Sequence, residues 1–139
     1  MAPSTNGTAV ARLLRFVRIF LLTPEQRRFH RAARQSGLFD PDYYIGAYPM
    51  IHPLYHRFPL RHYIVFGEAR GYRPNADFSP AAYLHYNPDV AASGMSPFLH
   101  WVLSGHREGR IHKELPKVED LPQHAAPPSS TMPDLLCDR

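Results

Sequence analysis

Asp40-Pro41-Asp42 places two carboxylates close enough to share one cation. That spacing suits Mg²⁺ or Mn²⁺, and through the metal a sugar nucleotide. The competing role is a helix start. Asp40 would be the N-cap, Pro41 the first helical residue, and Asp42 a charge beside the positive end of the helix dipole. A second stretch of the chain decides between the two. Ser79-Pro80-Ala81 stands at the matching place, keeping the cap and losing both carboxylates. Asp40 is therefore expected to cap, and no metal ligand is assigned to it.

The histidines give a similar result. His52 and His56 are spaced i, i+4, but Pro53 lies between them, and no cysteine or acidic cluster completes a zinc set. His62 and His100 recur at matched positions. A hydrogen bond fixing the loop after a preceding helix explains the recurrence, and a sugar or peptide contact is the functional alternative. Tyr43, Tyr48, Tyr55 and Tyr86 have flat faces suited to sugar rings. Ordinary packing between short helices would also employ them. No nucleophile–base set emerges, so no catalytic residue, cofactor or metal is expected.

These residues must be positioned by short helices. Leu13, Leu14, Val17, Phe20 and Leu21 follow the i, i+3, i+4 pattern and predict a helix over Ala9–Leu22, with Arg12, Arg15 and Arg18 on another face. Thr23-Pro24-Glu25-Gln26 reads as a capping box that starts a second helix running to about Gln35. From Leu38 the chain repeats with a period of about 38 residues. Phe39, Pro41, Tyr44 and Pro49 align with Phe78, Pro80, Tyr83 and Pro88. Pro59, His62, Tyr63, Gly67 and Gly71 align with Pro97, His100, Trp101, Gly105 and Gly109. Each repeat reads as two helices. The first is capped by Asp40 or Ser79. The second starts at Pro59 or Pro97, with Ser96 a cap for the latter, and stops at a left-handed Gly67 or Gly105. Gly67-x-x-x-Gly71 and Gly105-x-x-x-Gly109 mark turns, because no apolar span surrounds them. Phe39, Tyr44, Tyr63, Ile64, Phe78, Tyr83, Leu84, Trp101 and Val102 form the expected core, shared between the repeats. The fold class is mainly α. The expected boundaries are a basic amphipathic arm over 1–36, repeats over 37–75 and 76–110, and a proline-rich disordered tail over 111–139.

The net charge of +4 conceals an asymmetry. Before Gly37, Arg12, Arg15, Arg18, Arg27, Arg28, Arg31 and Arg34 face Glu25 alone, whereas the repeats are balanced. A basic arm suggests an anionic partner. Arg12, Arg15 and Arg18 with Phe16 and Phe20 are candidate contacts to an anionic membrane surface. The alternatives are docking on an acidic partner or packing of the apolar face on the repeats. Nucleic acid is not expected, since the repeats carry no basic patch or reader motif. Val10–Leu22 is too short and too charged to span a bilayer, and its arginines lie inside what would be the apolar core of a signal peptide. With a single cysteine, Cys137, no disulfide forms within the chain. A cytoplasmic protein, peripheral to the inner membrane, is the expectation.

Ser36-Gly-Leu-Phe-Asp-Pro-Asp-Tyr-Tyr44, Tyr83-Leu-His-Tyr-Asn-Pro-Asp-Val-Ala-Ala-Ser-Gly94 and Pro97-Phe-Leu-His-Trp-Val-Leu-Ser-Gly-His-Arg-Glu-Gly-Arg110 resemble a bacterial repeat attached to glycosyltransferases and rhamnan-synthesis-type polysaccharide proteins. The resemblance covers about Ser36 to Arg110. Repeat 1 departs from it at Tyr48-Pro-Met50-Ile51, where the pattern has Asn-Pro-Asp-Val, and at Gly71-Tyr72, where it has Gly-Arg. The resemblance implies a non-catalytic accessory module of capsule or exopolysaccharide synthesis, binding a glycosyltransferase or a glycan. Tyr43, Tyr48, His62, Tyr86, His100, Trp101 and Arg110 are the candidate contacts. An interaction adaptor without a glycan link and a relic of a larger glycosyltransferase are the alternatives.

Overall fold

The computed structural model describes residues 5–115, and no strand occurs among them. The expected tail beyond Leu115 lies outside the described residues.

Helix α1 spans Thr5–Arg18, starting before the expected Ala9 and ending before Leu22. The chain then bends into the capping box. Thr23 Oγ1 accepts from the Gln26 amide at 3.2 Å, and Gln26 Oε1 accepts from the Thr23 amide at 3.0 Å. Two orphan donors are thereby satisfied at the start of α2, Pro24–Ser36. Gly37 ends α2 at φ 68°, a conformation that a Cβ penalises.

Repeat 1 consists of α3 (Pro41–Ala47), a 3₁₀ turn (Pro53–Tyr55) and α4 (Pro59–His62). Helix α4 continues without a break through a π-helical turn, Tyr63–Gly67, into a 3₁₀ turn, Glu68–Arg70. Repeat 2 consists of α5 (Pro80–Tyr86), α6 (Pro88–Ser93) and α7 (Pro97–His100). Helix α7 likewise runs through a π-helical turn, Trp101–Gly105, into α8 (His106–Glu108).

The expected stop at Gly67 or Gly105 is displaced by one turn. Both glycines are helical, with φ −69° and −59°, and the left-handed stops are Gly71 (φ 71°) and Gly109 (φ 66°). The chain then returns to the start of its own repeat. The Asp40 amide donates to Pro74 O at 3.0 Å, and the Ser79 amide donates to His112 O at 2.8 Å. Residues 111–115, expected in the tail, thus belong to repeat 2. The Asn87 side-chain amide donates to Ile111 O at 3.0 Å, and Glu114 pairs with Arg73 at 2.5 Å.

The expected core is found. Tyr44, Tyr63, Ile64, Phe78, Tyr83 and Trp101 are buried, while Phe39, Leu84 and Val102 pack half-buried against them. The boundary at residue 36 cuts through this core. Phe29 and Ala33, an i, i+4 pair on α2, are buried in it. The Phe29 ring lies 6.5 Å from Tyr63 of repeat 1 and 6.1 Å from Phe98 of repeat 2. Phe98 in turn meets Tyr63 at 5.5 Å and Phe78 at 5.3 Å. Helix α2 is therefore a wedge between the repeats, and α1 lies beside repeat 1, with Phe16 against Tyr55.

Candidate functional site

The carboxylate pair at residues 40–42 is organised as a helix cap. Asp40 Oδ1 accepts from the Tyr43 amide at 2.9 Å, and Ser79 Oγ accepts from the Ala82 amide at 3.3 Å. His52 and His56 serve the loop between α3 and α4. His52 Nδ1 accepts from the Leu54 amide at 3.3 Å, and His56 Nε2 donates to Ile51 O at 3.1 Å.

His62 and His100 are held by tyrosines rather than by backbone. Tyr44 Oη and His62 Nδ1 share a 3.0 Å hydrogen bond, and Tyr83 Oη and His100 Nδ1 share one of 2.8 Å. Each hydroxyl lies against a glycine, Gly67 or Gly105, where a Cβ would collide with it. A knot of tyrosine, histidine and glycine thus ties the first helix of each repeat to the second. Burial, then the charges of Arg70 and Arg15, lower the His62 pKa to about 4, so the ring is neutral near pH 7. Burial raises the Tyr44 pKa and pushes Tyr83 up to about 12.

The expected glycan contacts do not gather. Trp101 is buried in the core, and His62 and His100 sit in the two knots. The Tyr48 ring is stacked on Tyr72 at 4.0 Å. Arg110 bridges Asp89 and Glu108 at 2.7 and 2.6 Å. Tyr43 is half-buried on α3, and Tyr86 is exposed beside His85.

Of the expected membrane contacts, Arg12, Arg15, Arg18 and Phe20 are exposed and Phe16 is half-buried. The Phe16 ring lies 5.7 Å from Tyr55, and Phe20, 45% exposed, lies 4.9 Å from Phe58. Arg61 Nη1 donates to Ile19 O at 3.0 Å, and Ile19 is fully buried. The outward face of α1 is its apolar stripe: Leu13 and Leu14 are each 61% exposed and Leu21 73%. The reading in which that stripe packs on the repeats is therefore corrected. The contacts to repeat 1 come instead from Phe16 with Tyr55, from Phe20 with Phe58, and from the Arg15 and Arg18 guanidiniums with Phe66.

That last contact gathers three guanidiniums around one ring. The guanidiniums of Arg15, Arg18 and Arg70 lie 5.4, 5.6 and 5.7 Å from the centre of the Phe66 ring. Beside them, between α1 and repeat 1, is a half-open cavity of about 630 Å³. Arg12, Leu13 and Arg15 line it from α1, and Met50, Leu54, Tyr55, His62, Arg70 and Tyr72 line it from repeat 1. No carboxylate lines it, and none of these arginines joins an ion pair among the described residues. Arg70 is oriented by donating to Phe66 O at 3.2 Å. Sequence reasoning found Arg12 and Arg15 but missed Phe66, Arg70 and Tyr72. The i, i+4 spacing of Phe66 and Arg70 was the available signal. The arrangement can receive an anion: three neighbouring guanidiniums attract phosphate or carboxylate, and the rings accept an apolar body. No family model matches the chain, and neither a curated protein nor a solved structure resembles it significantly.

Proposed function

We propose that this chain is a non-catalytic accessory module of bacterial capsule or exopolysaccharide synthesis, scaffolding a glycosyltransferase or a growing glycan. It would act in the cytoplasm at the inner-membrane surface. The observation that carries this reading is the duplicated knot. The residue types that could do chemistry, Asp40, His62 and His100, each hold helices together, in the same way in both repeats. What the repeats offer outward is surface, including the arginine-lined cavity, and surface suits binding. The resemblance of residues 36–110 to repeats that accompany glycosyltransferases supplies the glycan link.

The adaptor reading without a glycan link draws on a different feature. A groove of about 600 Å³ beside α2, lined by Phe29, Ile64, Met95, Leu99 and Leu103, has the apolar character of a helix-docking site.

Affinity capture of the full-length protein from its native cells tests the proposal. Recovery of a glycosyltransferase or polysaccharide, lost when repeat-surface residues are changed, is the expected result. Turnover of a nucleotide sugar by the purified chain, abolished by Asp40→Ala, would overturn the non-catalytic reading. Capture of proteins unrelated to glycan assembly through the α2 groove would favour the adaptor.

A further inference from the structure

The arginine cluster and the exposed stripe of α1 are parts of one surface. Leu13 belongs to both, lining the cavity while 61% exposed. Met50 and Leu54, 71% and 56% exposed, continue the apolar surface on the other wall. We infer that this surface is a seat for an anionic phospholipid of a membrane. The lipid phosphate would be held by Arg12, Arg15 and Arg70, and the Val10, Leu13, Leu14, Val17 and Leu21 stripe would lie in the headgroup–acyl boundary.

The occupant must satisfy two demands together. Arg15, Arg18 and Arg70 surround one ring without a carboxylate in reach. Their mutual repulsion is relieved by an anion, and a phosphate diester presents oxygens that guanidinium forks match. The stripe, about two helical turns from Val10 to Val17 with Leu21 just beyond the helix, needs an apolar neighbour, because contiguous exposed apolar faces mark an interaction surface. A soluble phosphate answers the first demand and leaves the stripe in water. A second copy of the chain could cover the stripe, but it would leave the arginines without an anion. An acidic peptide would neutralise the arginines without covering the stripe. An anionic lipid surface meets both demands, and the cavity volume lies within the usual range for a bound headgroup-sized ligand. The inference deepens the membrane clause of the proposed function. It leaves the identity of the protein or glycan partner untouched, so the capture experiment and the one below fail independently.

The test is co-sedimentation of the full-length protein with vesicles of phosphatidylcholine alone or mixed with phosphatidylglycerol. Binding to the mixed vesicles should be strong and should weaken as salt is raised. Arg15→Gln/Arg70→Gln should weaken it by more than about tenfold. Arg27→Gln/Arg31→Gln removes the same charge from α2, where neither residue lines the cavity, and should change it by less than about twofold. Leu13→Gln/Leu14→Gln should also abolish it. The first double variant gives up the guanidinium contacts with Phe66 along with their mutual repulsion, so the fold of every variant is checked by circular dichroism before binding is compared. Equal binding to pure phosphatidylcholine, or wild-type binding indifferent to salt, would overturn the proposal. Equal losses in the two arginine variants would reduce it to diffuse charge attraction and overturn the site. Stabilisation by inorganic phosphate as large as that by phosphatidylglycerol vesicles would assign the site to a soluble anion and overturn the lipid.

Discussion

Repeat 1 and repeat 2 return to their own beginnings by the same backbone path, yet different chemistry seals the return. In repeat 1, Tyr72 follows the left-handed Gly71 and stacks on Tyr48 at 4.0 Å with the planes 10° apart. In repeat 2, Arg110 follows the left-handed Gly109 and reaches Asp89 at 2.7 Å and Asn87 at 3.4 Å. Tyr48 and Asn87 occupy matched positions, as do Met50 and Asp89. The two departures of repeat 1 from the repeat pattern are thus one coupled exchange, of an aromatic stack for a polar clasp. The backbone bonds beside the stack and the clasp recur, the Tyr72 amide donating to Gly67 O and the Arg110 amide to Gly105 O, each at 3.0 Å, while the side-chain bonds differ. Tyr48 Oη accepts from the Arg73 amide at 2.6 Å, and the Asn87 side chain donates to Ile111 O at 3.0 Å. A repeat fold is defined here by its return path and its knot, and the seal is free to vary.

The knot is the shared part, so breaking it should have the largest effect. Gly67→Ala drives a methyl group into the Tyr44 hydroxyl, and Gly105→Ala does the same to Tyr83. Overpacking at such a site costs about 2 to 3 kcal/mol. Gly67→Ala should be the worse of the two. The Tyr44 ring is enclosed by Phe39, Tyr48, Tyr63 and Tyr72 and has no path of retreat. Thermal melts of the single variants, and of Gly67→Ala with Tyr44→Phe, check this. Removing the hydroxyl should restore much of the loss, and a double variant no more stable than Gly67→Ala alone would refute the steric account.

The seal distinguishes the repeats. Tyr72→Ala should lose about 1 to 2 kcal/mol, through the stack and the area it covers, at any salt concentration. Arg110→Ala should lower the melting temperature less, because its ion pairs are solvent-exposed. That loss should nearly vanish in 1 M salt, where the Debye length is about 3 Å. Asp89 is held below the usual carboxylate pKa chiefly by its hydrogen bond to Arg110. Its contribution is therefore present above that usual value and is lost as pH falls through the lowered one. Grafting Tyr48→Asn, Met50→Asp and Tyr72→Arg together should recover stability that Tyr72→Arg alone forfeits. Additive effects would show that the exchange is not coupled.

Several of these features are legible in the sequence. The caps at Thr23, Asp40, Ser79 and Ser96 follow from a short polar residue before proline, and the aromatic core follows from the alignment of the repeats. The recurrence of His62 and His100 correctly signals a role internal to the repeat. Its partner stays hidden, because Tyr44 and Tyr83 precede the histidines by 18 and 17 residues. No local pattern links them. Gly67 and Gly105 are misread as helix stops because a glycine that admits a neighbouring hydroxyl is indistinguishable in sequence from one that turns left-handed. The orientation of α1 is the larger failure. Its hydrophobic pattern points to one face, whereas Arg15 and Arg18 on the other face lie over Phe66, a partner more than forty residues on. The arginine cluster is a product of that docking and has no signature of its own.

Acid should unsettle repeat 1 through His62. Its folded pKa of about 4 lies below the ordinary 6.5, so the unfolded chain binds the proton first. Stability should fall as pH drops from about 6.5 to about 4 and level off below. Replacement by Gln should flatten that interval. A melting curve whose acid slope is the same in wild type and His62→Gln would place the sensitivity elsewhere.

The smallest effects should come from the caps, and they too differ between repeats. Asp40 is exposed and makes one capping bond, to the Tyr43 amide. Asp40→Ser should cost a few tenths of a kcal/mol and Asp40→Ala about 1 kcal/mol, the usual value of a cap. Ser79 is only 2% exposed, and its hydroxyl both accepts from the Ala82 amide and donates to Glu114 Oε1 at 2.7 Å. Ser79→Ala therefore leaves an orphan donor at a buried helix start and releases the segment that closes repeat 2. It should cost more than Asp40→Ala, by up to about 1 kcal/mol for the second hydrogen bond. Denaturant melts of the three variants decide the matter. If Ser and Ala prove equally damaging at position 40, or if Mn²⁺ stabilises the wild type and not Asp40→Ser, then the carboxylate does something that a hydroxyl cannot. The equivalence of the two caps would then fail at repeat 1.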